Sequence, residues 1–88
     1  MGEVAAHIKV MPEGVETDLA RLREKLEAVL PEGVRLHGFK EEPIAFGLKA
    51  LMVTVILADM EGGTERIEGA FADVEGVESV QVTEVGLI

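Results

Sequence analysis

Few side chains in this sequence could do chemistry. His7 and His37 are the two imidazoles of the 88 residues, and a zinc or copper site needs several ligands at spacings that one hairpin or helical turn brings together. Neither histidine has a second ligand so placed, and both read as strand histidines on an open sheet face, with no metal held. The chain has no cysteine, which excludes thiolate zinc, iron–sulfur clusters, disulfides and a cysteine nucleophile. A copper-carrying Cys-x-x-Cys loop is excluded with them. Glu41-Glu42 supplies two carboxylates, but neighbours on a strand point to opposite faces and cannot address one reacting atom. They read as a solvated acidic rim. Gly62-Gly63-Thr64 opens a helix whose free amides could meet an anion. No Lys follows as in a phosphate-binding loop, and Glu61 and Glu65 flank it with negative charge, so a helix cap is the better reading.

The elements that would position these residues follow from periodicity. Val4, Ala6, Ile8 and Val10 alternate with Glu3, Ala5, His7 and Lys9, the period-two pattern of a strand with one buried face. Met11-Pro12-Glu13-Gly14 punctuates it. After Thr17 and Asp18, either of which can cap, Leu19, Leu22, Leu26, Val29 and Leu30 recur at helical spacing, and Pro31 and Gly33 stop that helix. Val34, Leu36 and Gly38 then alternate with Arg35, His37 and Phe39 in a second strand running toward Glu41-Glu42-Pro43. Residues 48–57 form a nearly unbroken apolar run, which predicts a central strand with Val53 and Val55 on one face. Gly62-Gly63 ends it, Thr64 is a candidate cap, and Ile67, Ala70, Phe71 and Val74 mark a second, shorter helix. Val80 and Val82 alternate with Gln81 and Thr83 in a last strand, followed by Val85, Leu87 and Ile88.

The halves repeat weakly: Glu13-Gly14 and Glu61-Gly62 each precede a capped helix, which ends in Glu32-Gly33-Val34 or Glu75-Gly76-Val77. Each half is strand, helix, strand. The expected fold is α+β, a ferredoxin-like βαββαβ sandwich over a single domain of residues 1–88, its four-stranded antiparallel sheet carrying both helices on one face. That fold hosts many unrelated activities and does not choose among them.

Composition narrows the choice. Eight Lys and Arg against 17 Asp and Glu leave a charge of -9, which opposes any ligand held by counterion release from phosphates. Nucleic acid is not an expected partner. An RNA reader of this topology stacks bases on aromatics of its central strands, whereas here that run is Leu51-Met52-Val53-Thr54-Val55. The opening alternation lacks the continuous apolar run of a signal peptide, and no stretch approaches about 18 apolar residues. A soluble, unprocessed, cytoplasmic chain without membrane contact is expected.

The connector Glu41-Glu42-Pro43-Ile44-Ala45-Phe46-Gly47-Leu48-Lys49-Ala50-Leu51 is too apolar for an ordinary polar loop. Phe46 stands beside a glycine where the chain is expected to turn and leave the sheet. Two readings stand open: Ile44 and Phe46 fold back over the sheet end as core, or Phe46 projects as an aromatic anchor for a protein partner.

Together with the opening alternation, Glu61-Gly62-Gly63-Thr64 and the segment from Val77 to Val85, this connector resembles the archaeal translation elongation factor 1-beta family over the whole chain. The C-terminal exchange domain of the eukaryotic factor is more distantly similar. The resemblance implies the same α+β sandwich and guanine-nucleotide exchange on elongation factor 1-alpha, the GTPase that delivers aminoacyl-tRNA to the ribosome. It implies no cofactor and no bond-making residue. By position, Phe46 matches the loop aromatic that inserts into the partner's nucleotide domain and Lys49 a basic residue just after it. Pro43, Ile44 and Gly47 beside them, with Leu87 and Ile88 at the chain end, complete the implied partner-binding set. The family pattern also places a basic side chain near the C-terminus, where it intrudes on the magnesium site. Glu84-Val85-Gly86-Leu87-Ile88 has none, a departure that bears on magnesium displacement and leaves Phe46 untouched. The alternative expectation is a small-molecule regulatory domain of the amino-acid-sensing type, which would dimerise and be stabilised by its ligand.

Overall fold

The computed structural model describes residues 3–58 and 63–87. Strand β1 (Val4–Pro12) leads to helix α1 (Leu19–Ala28), strands β2 (Val34–Ala45) and β3 (Leu48–Leu57), helix α2 (Gly63–Ala72) and strand β4 (Val77–Leu87). The strands form one antiparallel sheet in the order β2-β3-β1-β4, the expected ferredoxin-like α+β arrangement.

Alternation on β1 sets the core. Val4, Ala6, Ile8 and Val10 lie opposite Leu57, Val55, Val53 and Leu51 of β3, and all eight are buried. Leu22 and Leu26 of α1 and Ile67 and Phe71 of α2 close over them in the same cluster. Apolar burial on this one face, at roughly 25 cal/mol per Å², is the main force joining helices to sheet. Of the two cap candidates Asp18 is the cap: its carboxylate accepts from Ala20 N at 3.1 Å and Arg21 N at 3.3 Å. Thr17 instead accepts from Gly14 N. Val29 is the C-cap and is exposed.

Several details differ from the sequence expectation. β1 does not stop at Met11 but runs through Pro12, which pairs with Val77 after a register shift. Helix α2 starts at Gly63, so Thr64 sits inside its first turn rather than at its cap; the Glu61-Gly62 break lies outside the described residues. Along β2, Leu36 faces Val55 and Gly38 faces Thr54. His37 is therefore an extra residue in a bulge, which flips the side chains that follow. Phe39, expected to point away from the helices, instead faces Val53 and packs on the core, with the Arg23 guanidinium of α1 over its ring, 4.7 Å from the centroid. A second shift puts Ile8 opposite Val82 and His7 opposite Glu84, leaving Thr83 unpaired and returning Val85 to the core side. Finally, the apolar connector is not a loop folded back as core. Its residues continue β2 and β3 into one long hairpin, and Ile44 and Phe46 are exposed.

Among the described residues no helix is long and apolar enough to cross a membrane.

Candidate functional site

Pairing between β1 and β3 ends at Val10↔Leu51. Beyond it Glu42↔Ala50, Pro43↔Lys49 and Ala45↔Leu48 continue as a two-stranded arm. Pro43 is tolerated because β2 is an edge strand and needs no donor on its outer side. A register shift between Pro43 and Ala45 leaves Ile44 without a partner on β3, 40% exposed.

Phe46 and Gly47 alone make the turn at the tip, with φ of 53° and 82°. Positive φ at both positions is the pattern that matches the twist of a tight hairpin, and it favours Asn-Gly or Gly-Gly. Glycine adopts it freely; a phenylalanine in the left-handed region costs roughly 1–2 kcal/mol. Packing of the side chain does not offset that cost, since Phe46 is 101% exposed. A large aromatic held on strained backbone and turned wholly to solvent is the feature of this surface that packing does not explain.

Behind the tip, Lys49 Nζ lies 3.8 Å from Glu41 Oε1, both side chains about half exposed. A solvent-screened pair of this kind contributes under about 1 kcal/mol, so Lys49 can exchange Glu41 for another acidic or phosphate partner. The arm thus brings Pro43, Ile44, Phe46, Gly47 and Lys49 together at one end of the sheet. Leu87 is not with them. It pairs with Val4, which on its other side pairs with Leu57, about 30 Å from the base of the turn at 3.3 Å per strand residue. Ile88 lies outside the described residues.

Sequence reasoning missed Val15. This β1–α1 loop residue is 62% exposed, and it lines a cleft of about 430 Å³ with Gly14, Asp18, Glu41, Gly47 and Lys49 at the foot of the arm. Its one signal was an apolar residue inside a turn of Pro, Gly, Glu and Thr.

On the open face, a second shallow cleft of about 560 Å³ holds His7, Lys40, Glu42, Met52, Thr54 and Glu84. His7 Nδ1 lies 2.9 Å from Thr54 Oγ1, and Nε2 lies 3.6 Å from Glu84 Oε1. This hydroxyl–imidazole–carboxylate row joins three adjacent strands. Thr54 and His7 are paired in the ladder, so their amides are not arranged as donors to a developing oxyanion. Among the described residues no group of three His, Asp or Glu side chains could hold a metal. His37, at its bulge, is exposed.

Comparison with known proteins identifies the family of the chain. A family model for the EF-1 guanine nucleotide exchange domain matches residues 5–88. Elongation factor 1-beta of Methanococcoides burtonii is 65% identical over 86 residues, which cover 98% of this chain and 97% of that one. The Methanosarcina acetivorans protein of the same name is 66% identical over 96% of each chain, and that of Haloarcula marismortui 58% over 98% of each. Among solved structures, the C-terminal domain of the MgtC protein from Mycobacterium tuberculosis has a TM-score of 0.61 at 15% identity, covering 98% of this chain and 88% of that one. That likeness is one of fold alone. Identity above one half, sustained along nearly every residue of both partners, places this chain in the EF-1 guanine nucleotide exchange domain family, to which the archaeal elongation factor 1-beta proteins belong.

Proposed function

We propose that this protein accelerates GDP release from elongation factor 1-alpha by presenting the tip of the β2–β3 arm to the GTPase, where Phe46 competes with the nucleotide and its magnesium. The observation that carries the reading is the fully exposed Phe46 on left-handed backbone. Lys49, Pro43, Ile44 and Gly47 flank it as the rest of that contact. Leu87, at the far end of the sheet, belongs to a second contact with the same partner, and Ile88 with it.

Exchange needs no bond-making group. A factor that binds the empty GTPase more tightly than the GDP-bound form must weaken GDP by the same ratio. Burying one Phe contributes about 1.5–3 kcal/mol, or roughly tenfold and more in an equilibrium. That suits a contact which displaces nucleotide and then releases. The charge of -9 favours fast encounter with a basic tRNA-binding surface more than tight final binding. Family membership favours this role over the amino-acid-sensing alternative.

Linkage supplies the test. Titration calorimetry with nucleotide-free and GDP-loaded elongation factor 1-alpha should give affinities for this protein that differ by about tenfold or more, the nucleotide-free form being tighter. Equal affinities would rule out exchange by competition, because a ligand that does not distinguish two states cannot shift them.

A further inference from the structure

The outer pairs of the arm have no third strand beside them, and a two-stranded ribbon is marginal in water by itself. Its tip holds Phe46 in a conformation that the surroundings must maintain. On the side of Gly47 where a side chain would stand, the nearest neighbour comes from outside the arm. A β-carbon placed on Gly47 would lie 3.9 Å from Val15 Cγ1, with no other heavy atom beyond its chain neighbours within 4 Å. Val15 is largely exposed, so the core does not require it.

The loop that carries Val15 is nonetheless closed. Thr17 N donates to Gly14 O at 3.2 Å, Gly14 N to Thr17 Oγ1 at 3.3 Å, and Glu13 N to Gly76 O at 3.0 Å. Asp18, next in the chain, is tied into the first turn of α1. A β-branched side chain with a stiff χ1 is therefore presented from a pinned turn to the flank of a two-stranded ribbon.

We propose that Val15 is a positioning residue, a buttress that holds the Phe46–Gly47 turn in the orientation in which Phe46 meets the GTPase. This role rests on the exchange function proposed above. Val15 acts through the turn and not by its own contact with nucleotide.

Three variants and two readouts test it. Val15→Ser should lower the second-order rate of stimulated GDP release about fivefold, the size of a typical coupling between neighbouring residues. Its melting temperature should stay within about 2 °C, as for other exposed substitutions, and Val15→Ile should restore the rate. Combined with Phe46→Ala, Val15→Ser should add nothing, because no aromatic is left to position; an independent partner contact would multiply the two losses. In the free protein, the NMR order parameter of the Gly47 amide should fall from about 0.85 to below about 0.6 on Val15→Ser. A parent-like rate, a multiplied loss in the double variant, or an unchanged Gly47 order parameter would each overturn the buttress. If Phe46→Ala itself exchanges normally, the aromatic contact fails on its own, and the Gly47 amide alone decides whether Val15 holds the turn.

Discussion

Phe46→Ala should reduce stimulated GDP release by about tenfold or more while the melting temperature moves by no more than a few degrees. The two effects separate because the side chain is fully exposed: truncation removes partner contact and no core packing. A core phenylalanine would instead cost about 3–5 kcal/mol on truncation. Phe46→Asn sharpens the test. Asn tolerates positive φ and forms with Gly47 the pair preferred in this turn, so the variant should gain on the order of 1 kcal/mol. In a domain of this size that raises the melting temperature by roughly 4–8 °C. A variant more stable and less active than the parent would show that the aromatic is retained for function at the expense of the fold. Loss of stability with normal exchange, measured where the variant is folded, would remove Phe46 from the site.

Val53→Asp and Val55→Asp should each abolish or nearly abolish cooperative folding. Both side chains are fully buried on β3, Val53 between Ile8 and Phe39 and Val55 between Ala6 and Leu36. An aspartate there has no partner for its charge, and the penalty of several kcal/mol is comparable with the whole stability of a small domain, about 5–15 kcal/mol. Far-UV circular dichroism during thermal unfolding reads the outcome. Melting within a few degrees of the parent would contradict the placement of β3 at the centre of the core.

Period-two and helical spacing made the six elements legible in sequence, because a half-buried strand or helix needs an apolar residue at every inward position. The bulges were not legible. Bulging His37 and Thr83 shifts register by one, and nothing in their side chains announces it; Phe39 accordingly changed faces. In sequence the arm looks like a connector, since its turn lacks the Asn-Gly or Asp-Gly signature of a tight hairpin and has Phe46 where the preferred residue would be. That same departure from turn chemistry is what the proposed site rests on. Conflict between a local preference and the observed residue is expected where function competes with folding. Val15 was invisible for another reason: its meaning depends on lying beside Gly47 across 32 positions of sequence, which no local pattern encodes. The separation of Leu87 from Phe46 likewise follows only from strand order.

The most direct measurement of the central claim is release of fluorescent GDP from its cognate elongation factor 1-alpha, with excess unlabelled nucleotide and a trace of this protein. One molecule of the protein should discharge many molecules of GTPase, with a rate that rises linearly with its concentration and falls as salt screens the encounter. A release rate that stays at the spontaneous value, even when the protein is raised to saturation, would contradict exchange as its function.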